Sequence, residues 1–425
     1  MYHLKNNTIM KQRRLFAFLF AVCALLWAGS VFADGKIRLV TGREIGQKIE
    51  MDIQSEGDFT IEGLEGNAVQ GRGLYTVKSE EIVINGDIVT FACNDGDLTE
   101  IDVTQCPGLG SLQVQINKLT ALDVTQNKDL LYLYCSFNEI TALDISKNTN
   151  LSILQCQSNK IKTLDVSRNK ALTSLDCGFN QLSSLDASNL DKLEVLYCDK
   201  NALQTLDCGP NLELSELDCG SNQLIELDVA RYTALTELHC GNNQLRSLEV
   251  SANRNLVKLY CGGNALTSIN IDKNTSLMEF DCGVNQITEL NVSKNTRLTS
   301  LYCDKNLIRG DKMDAFIASL ADLSKKSSKG TLFVYNNTEQ NEGNVCTTEQ
   351  VQAAAKRGWT AKELTTEGWV EYAGSNPTGI ESLADATSSR VQAVFDLEGR
   401  RHHGVQRGMM IVRTTDGQTR KMLVP

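Results

Sequence analysis

Histidine is scarce in this chain: four among 425 residues, at positions 3, 239, 402 and 403. A histidine-based metal or nucleophile site has little to draw on. No P-loop, H-E-x-x-H or G-x-S-x-G motif stands in the sequence either, so no catalytic residue is assigned. Basic charge is also short, with 42 Lys+Arg against 52 Asp+Glu. An acidic chain lacks the footprint that a phosphate backbone requires, which excludes nucleic acid as the partner. Long apolar runs are missing but for one, Leu15 to Ala28, which is shorter than the roughly 20 residues of a membrane span. That run follows Lys11, Arg13 and Arg14 and leads into Gly29-Ser30-Val31-Phe32-Ala33. This is the layout of a secretory signal peptide over residues 1–33, and it predicts export. Its removal leaves 38 basic against 52 acidic residues, a net charge of −14.

Cysteine, by contrast, is abundant. Fourteen cysteines in an exported chain suggest disulfides, and elsewhere a metal. Their spacing argues against both. Cys135, Cys156, Cys177, Cys198, Cys219, Cys240, Cys261, Cys282 and Cys303 recur every 21 residues, with Cys93 two periods earlier and Val114 filling the gap. Two residues before each stands Leu or Phe, and three residues after each stands Asn, from Asn117 to Asn306. Each unit reads LxxLxCxxNxL, as in Leu130-x-x-Leu133-x-Cys135-x-x-Asn138-x-Ile140. The alternation L-x-C turns Leu and Cys inward and the intervening residue outward. One unit cannot bury its own apolar face, so the units must stack. Stacked strands at about 4.8 Å make an array on the order of 50 Å long. Cysteines in parallel register keep their Cβ atoms near that same separation, beyond the preferred disulfide range, and a line of thiols does not converge on a metal. The nine-cysteine series is therefore expected to be a structural ladder of buried free thiols. Cys208 occupies a position that other units give to Val or Ile and is expected in the core. Cys106 falls at an exposed-turn position and Cys346 outside the array.

This pattern resembles the leucine-rich repeat, in the short 21-residue class of internalin-like and Bacteroidetes-type surface proteins. The resemblance implies a leucine-rich-repeat solenoid: β-rich, a curved right-handed superhelix with little helix on the convex side. The predicted organisation is a β-rich N-terminal cap (34–90), repeats (91–310), an α/β C-terminal cap (311–373), a polar linker (374–388) and a β-strand segment (389–425). Strands are expected at 36–41, 48–53, 59–62, 74–78 and 81–91. The C-terminal cap offers a helix carrying Met313, Phe316, Ile317 and Leu320, N-capped by Asp311. A strand at 331–335 follows, then a second helix opened by the capping box Thr347-x-x-Gln350 and closed by Gly358. Phe395-Asp-Leu-Glu-Gly399-Arg400, Gly408, Ile411-Val412-Arg413 and Arg420-Lys421-Met-Leu-Val resemble a type IX secretion sorting domain. That implies outer-membrane secretion machinery as a partner through 389–425, and a cell-surface, outer-membrane or secreted location.

Two outward columns carry the functional expectations. On the concave sheet, one residue per unit forms the series Tyr134, Asp176, Tyr197, Asp218, His239, Tyr260, Asp281 and Tyr302. Glycines at 178, 220, 241, 262 and 283 follow it and are expected to leave the rings accessible. Tyrosine suits recognition surfaces, so this column is the candidate ligand face for a protein or glycan on a host or bacterial surface. It equally suits a strand with no ligand. The second column runs from Asp102 to Asp228. Its carboxylates either repel one another, with raised pKa values that calcium would relieve, or bind local turn amides. Arg309-Gly310-Asp311 is an RGD tripeptide, read either as an integrin-recognition sequence or as a helix start. Adhesion or community interaction is the predicted role. A structural surface scaffold is the alternative, and an enzyme using His239 beside Asp218 and Tyr260 a remote one. No cofactor or metal is assigned.

Overall fold

The computed structural model describes residues 35–338 and 342–375, and, further on, five strands between Ile380 and Val424. The signal-peptide expectation and most of the linker lie outside the described residues.

The repeats generate ten three-residue strands: β9 (Ser111–Gln113), β10 (Tyr132–Tyr134), β11 (Ile153–Gln155), β12 (Ser174–Asp176), β13 (Val195–Tyr197), β14 (Glu216–Asp218), β15 (Glu237–His239), β16 (Lys258–Tyr260), β17 (Glu279–Asp281) and β18 (Ser300–Tyr302). Each pairs in parallel with the next at a constant offset of one repeat, as in Leu175 beside Leu196 and Leu196 beside Leu217. The inward leucines and cysteines are buried along the whole series, while the flanking strand residues are mostly half-buried. The return legs contain turns and no helix, because the 21-residue period leaves too little chain for one.

Asparagine makes this backbone self-sufficient. Asn222 Oδ1 accepts from the Leu203 amide at 3.0 Å, and its Nδ2 donates to the carbonyls of Cys198 (3.0 Å) and Cys219 (3.1 Å). The pattern recurs turn after turn and satisfies buried groups that the short strands leave open. A second ladder runs through the return legs, where Asn148 donates to the carbonyls of Val124 and Asn127. It breaks at Leu190 and Tyr232, where the Tyr232 hydroxyl donates instead to the Gly209 carbonyl at 3.2 Å.

Residues before the array form β1 (Lys36–Thr41), β2 (Lys48–Ser55), β3 (Thr60–Glu62), β4 (Leu64–Glu65), β5 (Gly71–Val77), β6 (Glu81–Asn85), β7 (Ile88–Ala92) and β8 (Leu98–Gln105). The expected single strand over 81–91 is two, because Gly86 adopts a φ of 149° and turns the chain between them. β7 pairs in parallel with β9 and carries the repeat sheet onto the antiparallel β2–β5 pair. β8 pairs with β1 in a separate antiparallel sheet, so the first repeat's return leg is a full strand. Cys106 follows it and is 1% exposed, its thiol donating to the Ile88 carbonyl at 3.2 Å. The exposed position expected for Cys106 is thus wrong: the β1–β8 pairing folds that turn inward.

After the array come α1 (Asp311–Ser319), β19 (Gly330–Asn336), α2 (Thr348–Lys356), β20 (Trp359–Thr365) and β21 (Gly368–Glu371). Met313, Phe316 and Ile317 of α1 are buried, but its N-cap is Gly310, with no side-chain capping bond. Asp311 is the first helical residue, so the N-cap assigned to it falls one position off. α2 has the capping box, Thr347 accepting from the Gln350 amide and Gln350 from the Thr347 amide. β19 and β20 extend the parallel sheet. The C-terminal segment adds β22 (Ile380–Ser382), β23 (Val391–Phe395), β24 (Arg401–His402), β25 (Gly408–Thr414) and β26 (Thr419–Val424), in the sheet order β22-β26-β25-β23-β24.

Candidate ligand-binding face

Parallel registration sets the outward residues of the strands in line, one per turn. Asp176 stands beside Tyr197, Tyr197 beside Asp218, Asp218 beside His239, and so on to Tyr302. β19 continues the line with Phe333, beside Tyr302. The Tyr302 and Phe333 rings stack at 3.9 Å and 3°, and Trp369 of β21 meets Phe333 edge-on at 4.8 Å. Phe333 and Trp369 lie beyond the last ladder cysteine, Cys303, and carry no repeat signature, so only the pairing of β18 with β19 and of β20 with β21 brings them to the face.

The tyrosines are anchored rather than free. Tyr197 donates its hydroxyl to Glu216, and Tyr260 donates to Glu279, each one turn onward. The rings and hydroxyls are half-buried, and burial with the neighbouring carboxylate holds both phenols well above the ordinary range. Tyr134 differs, being 8% exposed. Its column neighbours are Gln113 and Gln155, and Ser136 follows it where later turns have glycine. Burial pushes its phenol up to about 12. Its expected place among the accessible rings is therefore corrected.

Nor do the glycines serve mainly to uncover rings. Asp176 Oδ1 accepts from the Gly178 amide at 3.2 Å, Asp218 Oδ1 from Gly220 at 3.0 Å and Asp281 Oδ1 from Gly283 at 2.9 Å. A Cβ on Gly178 would come within 2.4 Å of Asp199 Oδ1. The glycines make room for carboxylates lying along the sheet. Desolvation, reinforced by the Asp199 and Asp218 charges, pushes Asp176 up to about 8. Desolvation and Asp218 raise Asp199 to about 7, and desolvation with Asp304 raises Asp281 to about 7.

At the centre, His239 Nδ1 lies 3.5 Å from Asp218 Oδ2, and its ring is 4.4 Å from that of Tyr260. Lys258 reaches Glu237 at 3.0 Å. Two surface depressions, one lined by Gly35 and Cys106 and the other by Arg38 and Asp102, include none of these residues.

The second column behaves differently from one of its two readings. Asp144, Asp165 and Asp186 each accept from the amide two residues on, at 2.9–3.0 Å, and Asp123 accepts from the Thr125 amide and hydroxyl. Hydrogen bonds to Ser146, Ser167 and Ser188 lower their three pKa values below the ordinary carboxylate value, rather than raising them. Short local bonds outweigh repulsion between exposed charges in water. Among the described residues no group of three or more His, Cys, Asp or Glu is arranged to hold a metal ion.

All thirteen described cysteines are free and buried. Burial pushes the Cys135 thiol up to about 12 and holds Cys198 and Cys219 far above the ordinary range, adjacent thiols adding to the effect.

Among solved structures, the chain is similar to the functional domain of InlJ from Listeria monocytogenes, described as including a cysteine ladder. The match is 21% identical, covers 82% of this chain and 94% of that one, and has a TM-score of 0.55. The fold is a leucine-rich-repeat solenoid. An internalin, inlF, also from Listeria monocytogenes, matches at 20% identity and a TM-score of 0.51, covering 64% of this chain and 86% of that one. No family model and no curated protein matches the chain.

Proposed function

We propose that this leucine-rich-repeat solenoid is an exported cell-surface protein that holds a macromolecular ligand along its sheet face, in adhesion to a host or to neighbouring bacteria. The observation that carries this reading is the single line from Asp176 to Tyr302, prolonged by Phe333 and Trp369. It sets half-exposed aromatic rings and carboxylates side by side on one rigid sheet. Rigid anchored rings bind with little ordering cost. Residues 1–33 would direct export as a signal peptide, and 389–425 would engage outer-membrane secretion machinery. The ligand is a protein or a glycan.

Replacing Tyr197, Tyr260 and Tyr302 together by Ala tests the face. Adhesion to host cells, matrix and partner bacteria should fall while the melting transition persists; unchanged adhesion by a folded variant refutes the reading. Deleting 389–425 should abolish surface display, and normal display would remove the sorting role. A structural scaffold is the second reading, favoured by the bonds from Tyr197 to Glu216 and Tyr260 to Glu279, which satisfy those hydroxyls within the protein.

A further inference from the structure

Charge on the sheet face is one-sided. Between Ser174 and Asp304, eight outward positions of the strands and their following residues carry Asp or Glu, against one lysine, Lys258, and one histidine, His239. Lys258 is already committed to Glu237, and His239 lies between Asp218 and Glu237. No ion pair with Lys or Arg reaches Asp176, Asp199 or Asp281 among the described residues. Asp176 and Asp281 instead accept from the Gly178 and Gly283 amides, Asp199 lies against Gly178, and each of the three is held more protonated than an ordinary aspartate. Rim lysines Lys200 and Lys305 fall one position further out, and Lys200 sits 3.9 Å over the Phe179 ring. That contact shows, within this molecule, an ammonium group settling on an aromatic face of the same edge.

We infer that the sheet face from Asp176 to Trp369 docks an extended cationic polypeptide segment, rich in Lys or Arg. This rests on the ligand-face reading above and specifies its partner. A strand laid along the stack offers a side chain to the sheet about every 6.8 Å, a spacing that long Lys and Arg stems can match to turns about 4.8 Å apart. The ammonium or guanidinium groups would meet Asp176, Asp199 and Asp281. The Tyr197, Tyr260 and Tyr302 rings would supply cation–π surfaces between them. A neutral glycan would leave the crowded carboxylates uncompensated, so the cationic polypeptide is favoured on charge complementarity.

The test uses a short labelled oligolysine peptide and the full chain. Binding should weaken steeply as salt rises, and Asp176→Asn, Asp199→Asn and Asp281→Asn together should weaken it by at least about tenfold. Asn at 176 and 281 retains an oxygen for the Gly178 and Gly283 amides, and Asn at 199 keeps the shape of the side chain, so folding should persist, as a melting curve would verify. The same charge removed from the opposite side, through Asp144→Asn, Asp165→Asn and Asp186→Asn, should leave binding unchanged. No binding by the native chain, or equal loss in both triple variants, overturns the inference. If oligolysine fails while the three Tyr→Ala changes still abolish adhesion, the cationic partner is refuted and the ligand face stands.

Discussion

Tyr302 lies flat against Phe333, ring centroids 3.9 Å apart and planes 3° from parallel, across the join between the last repeat and β19. The stack closes the sheet face with a rigid aromatic end, braced by Trp369. Trp369 is half-exposed there, whereas Trp359 is 1% exposed beneath the sheet. In the chain freed of residues 1–33, and so of Trp27, acrylamide should therefore quench one component of the tryptophan emission and spare the other. Trp369→Phe should leave only the shielded component. A ligand seated on the face should protect the quenchable one, and equal quenching of both tryptophans would contradict this arrangement.

The thiols should be chemically silent until the array opens. With every described cysteine buried and the ladder thiols held well above the ordinary range, a disulfide reagent at pH 8 should label them only at the rate of unfolding. Fast labelling of Cys106 would contradict its burial beside Ile88. Cys219→Ser places a hydroxyl in an apolar column and should cost about 1–3 kcal/mol, read as a lower melting temperature.

Stability should depend on pH from two opposite sides. Asp176, Asp199 and Asp281 have raised pKa values in the folded chain, so the folded state holds protons that the unfolded state has released. Their contribution is largest in mild acid and declines as pH rises from about 4 to about 8. Asp144, Asp165 and Asp186 have lowered values, so theirs is present at neutral pH and lost as pH falls below about 4. Melting temperature should peak between these regimes. The triple Asp→Asn change at 176, 199 and 281 should flatten the decline on the alkaline side.

The residue before each repeat Asn adopts a left-handed backbone, with φ of 58° at Ile116, 57° at Phe137 and 53° at Val284. Only Gly263 and Asn242 in this position are types that accept it readily, at 73° and 55°. Val284 is 49% exposed, so little packing is at stake. Val284→Asn should stabilise the chain by about 1 kcal/mol, measurable by denaturant titration. A loss of stability would show that the valine side chain makes a contact worth more than the backbone strain.

Much of the architecture was legible because the repeat is short and strict. Leu133, Cys135 and Asn138 recur in step with a parallel sheet, and a pleat of period two assigns inward and outward sides without any coordinates. The same logic placed Tyr197, Asp218, His239, Tyr260 and Asp281 on one line. It failed where the chain leaves the repeat. Cys106 looked exposed because its burial depends on β8 pairing with β1, more than sixty residues earlier. Phe333 and Trp369 went unnoticed because no periodicity connects them to Tyr302.

By itself, then, the sequence determined the solenoid, its 21-residue turn, the buried thiol column and the side on which the tyrosines and aspartates emerge, because local alternation settles each of these. Tertiary structure alone decided how those outward groups use their space. It covered Tyr134, laid Asp176 over the Gly178 amide, tied Tyr260 to Glu279 and built the aromatic end at Tyr302. Those outcomes depend on the size and charge of neighbours one turn away, and a neighbour across a turn becomes a contact only once the turns have stacked.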